Sequence, residues 1–334
     1  MMQEMITVAV DAMGGDNAPN AIIKGCIESI NDDSHIKIYL VGNNIIINEQ
    51  LAKYTYNKEQ LEVVDAKEII DTCESPVMAI RRKKDSSLVK AFNLVKDKKA
   101  NALVSAGSTG AILAGGTFIV GRIKGIERPA LAPLIPNKKG VSLLIDCGAN
   151  VDSKASYLVQ YAKMGSIYFE NVMGVKNPKV ALVNIGEEES KGNNLVKEAY
   201  SLLKNEDINF IGNIEAREIP EGKADVLVCD AFVGNIILKY TEGFALTLFS
   251  MLKKHLLKNF RSKIGTLLLK PALKDFKKSF DYTEYGGAPL LGLEGLVVKT
   301  HGSSDSKTIK NTILQCKKFS DQQINDKIKE NIKI

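Results

Sequence analysis

The chain has 334 residues, with 45 Lys and Arg against 39 Asp and Glu, giving a formal charge of +6. Hydrophobic residues make up 45% and charged residues 25%, an ordinary globular mixture that excludes disorder as the main state. No run of ~18 apolar residues occurs, which excludes a spanning helix.

The opening segment MMQEMITVAVDAMGG runs straight into a strand pattern without a basic leader or apolar core, so no signal peptide is expected. Cys26, Cys73, Cys147, Cys229 and Cys316 are scattered without a CxxC pair, which reads as reduced thiols in a cytoplasm. His35, His255 and His301 lie far apart, so no metal site and no cofactor are expected. Charge is concentrated in one place. Lys253 to Lys278 carries a net +8 and leaves −2 for the remainder, so bulk charge argues against nucleic acid and for an acidic partner or an anionic membrane surface.

In chain order, strands are predicted over 6–11, 36–42, 101–107, 141–148, 179–186, 208–212, 224–230 and 295–302. Most are continuous apolar runs, suited to burial on both faces. Amphipathic helical patterns intervene, for instance at 86–99 and 193–205, and this alternation predicts an α/β fold with a largely parallel sheet. No linker or fixed-period repeat divides the chain, so 1–334 reads as a single domain carrying a basic amphipathic helical segment at about 236–280.

Five predicted strands end in glycine with small polar or acidic groups: Asp11 to Asp16 with Gly14 and Gly15, Ser105 to Gly110, Asp146 to Asn150, Glu187 to Gly192, and Asp230 to Asn235. The carboxyl ends of strands in open α/β sheets form the ligand crevice, and helix starts there offer N–H groups to anions. Gly14, Gly15, Gly107, Ser108, Thr109, Gly110, Gly148, Asn150 and Gly234 are therefore candidate substrate-binding residues. Asp11, Asp16 and Asp146 are read either as orienting groups for donors or as caps and turn formers.

Within these bends Lys191 is either a cation for an anionic group or a solvated partner of Glu187 to Glu189. Asn235 is either an amide donor to a reacting carbonyl or a helix N-cap. His301, followed by Gly302, Ser303 and Ser304 at the expected start of the last helix, is a candidate proton donor beside an anion cradle. Arg81 and Arg82 suit an acidic ligand or a solvated face, and Cys147 reads as a buried hydrophobe more than a nucleophile.

The segment Ile236 to Phe260 is predicted as one long helix, apolar early and basic late, with a dimer contact as a natural use. After it, Leu269, Leu273, Phe276 and Phe280 form one helical stripe beside Lys270, Lys274, Lys277 and Lys278, the pattern of an interfacial membrane helix. Lys253, Lys254, Lys258 and Arg261 extend that basic surface. A helix docked on the protein's own core is the alternative.

AVDAMGGDNAP, SAGSTGA, DCGANVD, NIGEEESKGN, DAFVGNIILK, YGGAPLLG and VVKTHGSSDS occur in an order that resembles the phosphate acyltransferase (PlsX) family over roughly residues 6–310. Ser108 stands where that family commonly has Asn, and Ala231 where it commonly has Gly. The resemblance implies a three-layer α/β/α fold akin to isocitrate and isopropylmalate dehydrogenases, and a homodimer. It implies formation of acyl phosphate from acyl-[acyl carrier protein] and inorganic phosphate for phospholipid synthesis, with no covalent enzyme intermediate. The product would pass to a membrane glycerol-3-phosphate acyltransferase, so the protein would sit in the cytoplasm at the inner face of the cell membrane. The resemblance also favours the catalytic readings of Lys191, Asn235 and His301. A phosphotransacetylase-like enzyme using acyl-coenzyme A, and a non-catalytic lipid- or nucleotide-binding protein, are the rivals.

Overall fold

The computed structural model describes residues 5–150, 152–279 and 285–332, without side chains at 277–279. In the first part of the chain, β1 (Ile6–Asp11), α1 (Asn20–Asp32), β2 (Ile36–Gly42), α2 (Asn44–Leu51), β3 (Leu61–Asp65), α3 (Pro76–Arg82), α4 (Ser87–Lys96), β4 (Ala102–Ser105) and α5 (Thr109–Gly115) alternate. Then come β5 (Ala130–Leu131), β6 (Leu134–Asn137), β7 (Gly140–Ile145), α6 (Ala155–Met173), β8 (Val180–Asn184), α7 (Asn194–Leu203), β9 (Phe210–Glu215) and β10 (Val226–Val228). The chain ends with α8 (Ala231–Leu256), α9 (Phe260–Ser279), β11 (Ala288–Leu291), β12 (Leu296–Lys299), α10 (Ser306–Asp321) and α11 (Ile324–Asn331).

The strands form two sheets, ordered β3-β2-β1-β4-β12-β11-β5 and β6-β7-β10-β8-β9. Parallel pairing runs from β3 through β12 in the first and from β7 through β9 in the second. Strands β11 and β6 are antiparallel to their neighbours.

Alternate residues along each strand enter opposite cores. Val8 and Val10 join Val104, Ile145 and Val228 on one side, while Ala9 joins Leu103, Leu144 and Leu227 on the other. Each core thus draws on both sheets and is closed by helices, which is why the strands are apolar on both faces. The layering is α/β/α.

The sequence missed β3, β5, β6 and β11, which are short or lie at or near sheet edges. The long helix begins at Ala231 and ends at Leu256, with Phe260 opening a second helix in place of closing the first. The helix after His301 starts at Ser306, capped by the Asp305 carboxylate, and α11 follows it. Ser303 and Ser304 therefore lie in the turn before that helix.

Candidate active site

The order of the first sheet reverses at β1, which lies between β2 and β4, and the bends after β1 and β4 meet there. Asp11, buried at the end of β1, accepts the Ser105 hydroxyl proton at 2.7 Å, and Ser105 Oγ accepts the Gly107 N–H at 3.0 Å. Burial raises the Asp11 carboxyl above its ordinary range, against the pull of the hydroxyls of Ser87 and Ser105. The fit leaves no space for side chains. A Cβ on Gly14 would stand 2.5 Å from Asp11 Oδ2 and 2.9 Å from the Gly107 nitrogen.

Gly15 turns with φ +98°, and a Cβ there would meet the Gly302 carbonyl at 2.9 Å. The Asp16 amide donates to that same carbonyl at 2.8 Å, and the Asn17 side chain donates to the carbonyls of Ser303 and Ser304. The bend after β12 is thereby locked to the bend after β1. Gly110 lets α5 pack on Pro76 of α3, where a Cβ would come within 2.6 Å.

The second sheet contributes its own bends. Asp146, fully buried after β7, accepts from the backbone N–H of Leu131, Ala149 and Asn150 and from the Asn150 amide, at 2.8–3.2 Å. Burial pushes its carboxyl up to about 6 despite these donors. The Asn150 side-chain nitrogen also lies 2.8 Å from the Pro129 carbonyl and 2.9 Å from the Tyr161 hydroxyl, so it braces the bend. Asp230 caps α8 by accepting from the Val233 N–H. A Cβ on Gly234 would lie 1.9 Å from the Asp146 carbonyl oxygen, so only glycine lets α8 start this close to β7. Asn235 is thus inside the helix and is not its cap. Its side chain faces Gly148, whose would-be Cβ lies 4.0 Å away.

Between the two sets of bends lies a cavity of about 530 Å³, lined by both sheets. Gly15, Asp16, Gly107, Ser108, Thr109, Gly148, Asn235, His301 and Gly302 line it. Asp11, Gly14, Ser105, Gly110, Asp146, Asn150, Gly234, Ser303 and Ser304 are outside the lining. His301 is exposed; its Nδ1 accepts the Ser303 N–H at 3.2 Å and lies 2.7 Å from Ser303 Oγ. That bond assigns the ring proton to Nε2. Cys147 lines the cavity but is buried, and burial raises its thiol well above the ordinary range, so it is not poised as a thiolate.

Several lining residues were missed from sequence. Leu238, Lys239 and Glu242 follow Asn235 at spacings of three, four and seven, a single helix face that could have been read from the sequence. Lys299 also lines the cavity, and the signal for it was a lone cation closing the apolar strand Leu296–Val298. Thr72, Tyr285 and Gly286 come from irregular segments with no such signal.

Other candidates fall elsewhere. Lys191 is exposed on the bend after β8 and does not line the cavity. That bend is held by the Asn184 side chain, which donates to the Lys191 carbonyl, while Glu187 and Glu189 reach Lys223 and Lys204. Arg81 and Arg82 are exposed at the end of α3, with Arg81 over the Phe118 ring at 5.9 Å. Lys253, Lys254, Lys258, Arg261, Lys270 and Lys274 are exposed on the α8–α9 hairpin. The side chains of Lys277 and Lys278, and Phe280, lie outside the described residues. The stripe does not form one outward face. Leu273 and Phe276 line a groove against Phe249, Leu252 and Leu256 of α8, while Leu269 is exposed.

This architecture is similar to that of several solved α/β proteins. A phosphotransacetylase from Streptococcus pyogenes superposes with a TM-score of 0.62 at 16% identity, covering 95% of this chain and 94% of that one. A 4-hydroxythreonine-4-phosphate dehydrogenase from Klebsiella pneumoniae gives 0.50 at 15% identity, covering 94% and 98%. The family described as fatty acid synthesis protein matches residues 6–327. Proteins named phosphate acyltransferase from Clostridium novyi and Clostridium acetobutylicum are each 57% identical, over 97% and 96% of this chain and 98% and 97% of theirs. The chain belongs to this phosphate acyltransferase family, and it is an enzyme of acyl transfer with phosphate.

Proposed function

We propose that the protein forms acyl phosphate from a fatty acyl thioester of acyl carrier protein and inorganic phosphate. The observation that carries this reading is the cavity between the sheets, where glycine bends from both sheets meet the Asn235 amide. A phosphate oxygen attacks the thioester carbonyl carbon, a C–O bond forms, the C–S bond breaks, and the sulfur leaves as thiolate and takes up a proton. A thiol with a pKa of ~8.5 is a good enough leaving group that no enzyme nucleophile is required. Asn235 donates to the developing oxyanion, and the Nε2–H of His301 donates a hydrogen bond to phosphate or to the departing sulfur. Gly107, Ser108, Thr109, Gly148 and Gly302 shape the floor around the reacting groups.

Lys191 sits on the bend after β8, a strand next to β10, and serves as a cation for the donor outside the cavity. Arg81 and Arg82 flank the approach on α3, which packs on the helix that begins at Thr109, and they suit an acidic carrier protein. No helix among the described residues is long and apolar enough to cross a membrane. The exposed cations of the α8–α9 hairpin bring the enzyme to the inner face of the membrane, where a glycerol-3-phosphate acyltransferase consumes the product in phospholipid synthesis. The exposed α8 residues Phe232, Ile236, Tyr240 and Phe244 provide a contact for a homodimer.

Incubation with acyl-carrier thioester and phosphate, with hydroxylamine to trap acyl phosphate, tests the reaction. Phosphate-dependent hydroxamate is expected, with acyl-coenzyme A a poorer donor. Thiol release independent of phosphate would overturn the reading.

A further inference from the structure

We propose that Lys299, the last residue of β12, is the cation that binds inorganic phosphate in the cavity, a role that rests on the acyl phosphate reading above. Its backbone is fixed on both sides, paired with Ser105 of β4 and with Ala288 of β11. Gly287 allows the close approach, since a Cβ there would stand 2.6 Å from the Lys299 carbonyl oxygen. The side chain starts from a rigid strand end and lines the cavity beside His301 and Gly302.

The ammonium group is held by a single contact, to the Thr300 carbonyl at 2.5 Å, and Lys299 is in no ion pair among the described residues. Desolvation drives its pKa down to about 8, and the more distant charges of Glu242, Lys239 and Asp16 do not reverse this. Those three, with His301, Cys147 and Tyr285, are the charged and titratable groups that share the cavity with it. Lys299 is half-buried, and a partly desolvated cation with one carbonyl for company is costly and is compensated by an anionic guest. Thr300 adds a second sign of an incomplete site. It is 2% exposed, and its hydroxyl has no hydrogen-bond partner among the described residues. Neither other lysine shares these features: Lys239 lines the cavity but is exposed, and Lys191 lies outside the lining.

The sign of the pH dependence follows. The free enzyme carries the ammonium below about 8 and loses it above, so phosphate affinity falls as pH rises through that value. Calorimetry with inorganic phosphate alone, and steady-state kinetics with hydroxylamine trapping, test the assignment on wild type, Lys299→Met and Lys299→Arg. For Lys299→Met, the phosphate Kd and KM are expected to rise about 10- to 100-fold, with the acyl-donor KM within about threefold. Lys299→Arg should bind within about fivefold of wild type and lose no affinity between pH 8 and 9.5, because guanidinium does not titrate there.

Wild-type phosphate affinity in Lys299→Met would overturn the proposal. If that variant does not fold, the two pH curves decide: a wild-type decline that Lys299→Arg lacks upholds the site, and coincident curves overturn it. A wild type that binds phosphate through Lys299 yet makes no acyl phosphate would uphold the site while sinking the proposed reaction.

Discussion

The cavity and the α8–α9 hairpin use apolar and polar atoms in opposite ways. Around the cavity, buried carboxylates and hydroxyls are tied to backbone amides, and glycines let the bends touch within van der Waals range. On α8, only Ala231 and Gly234 are buried, while Phe232, Ile236, Tyr240 and Phe244 face outward at four-residue spacing. On α9, Leu267 and Leu268 are 69% and 78% exposed. The first region is held together by hydrogen bonds made within the chain, with the Thr300 hydroxyl left without a partner among the described residues. The second presents an apolar surface beside cations, which marks a contact with something outside the chain. Chemistry and attachment are thus separable by mutation.

The strongest way to break the first region is Asp146→Ala. It leaves the N–H groups of Leu131, Ala149 and Asn150 and the Asn150 amide without their acceptor. Orphaned buried donors cost ~1–3 kcal/mol each, which exceeds the relief from no longer burying a carboxylate, so stability should fall by about 3 kcal/mol. Urea unfolding measures this, and an unchanged midpoint would show that the bend does not depend on Asp146. Asn235→Ala acts on the reaction alone. It should lower kcat about 10²-fold with the fold intact and the phosphate KM within about threefold. A kcat within threefold of wild type would remove Asn235 from the oxyanion role.

Much of the first region was legible because buried parallel strands are written as apolar runs ending in glycine bends. Four of the five bends singled out meet around the cavity, and the fifth, Glu187 to Gly192, stands away from it. Periodicity cannot separate these cases, because Lys191 and Asn235 both follow an apolar strand and a glycine. What separates them is sheet order, with β10 between β7 and β8, and sheet order is a long-range property. Lys299 escaped notice for a related reason. It reads as the ordinary polar end of a strand until β11 and β4 enclose it on both sides. In the hairpin, the spacing of Leu269, Leu273 and Phe276 was real, but a stripe does not say which neighbour it meets. Leu273 and Phe276 turned to the groove with α8, while Leu269 of the same stripe stayed exposed.

That difference sharpens the last test. Leu273 and Phe276 line the groove between the helices, so replacing them would disturb the hairpin and the membrane contact together. Leu268 and Leu269 are the better probes because both are largely exposed on α9, next to Lys270, and neither lines that groove. Leu268→Ser combined with Leu269→Ser should reduce flotation with vesicles of anionic phospholipid about 10-fold or more, since each buried leucine side chain is worth ~1.5–3 kcal/mol. Turnover in solution should stay within about twofold, because neither residue touches the cavity. Raising the salt should weaken flotation of wild type, as the exposed Lys253, Lys254, Lys258, Arg261, Lys270 and Lys274 lose their attraction to the lipid surface. Undiminished flotation of the double variant would detach the hairpin from the membrane and leave its apolar face to protein contacts alone.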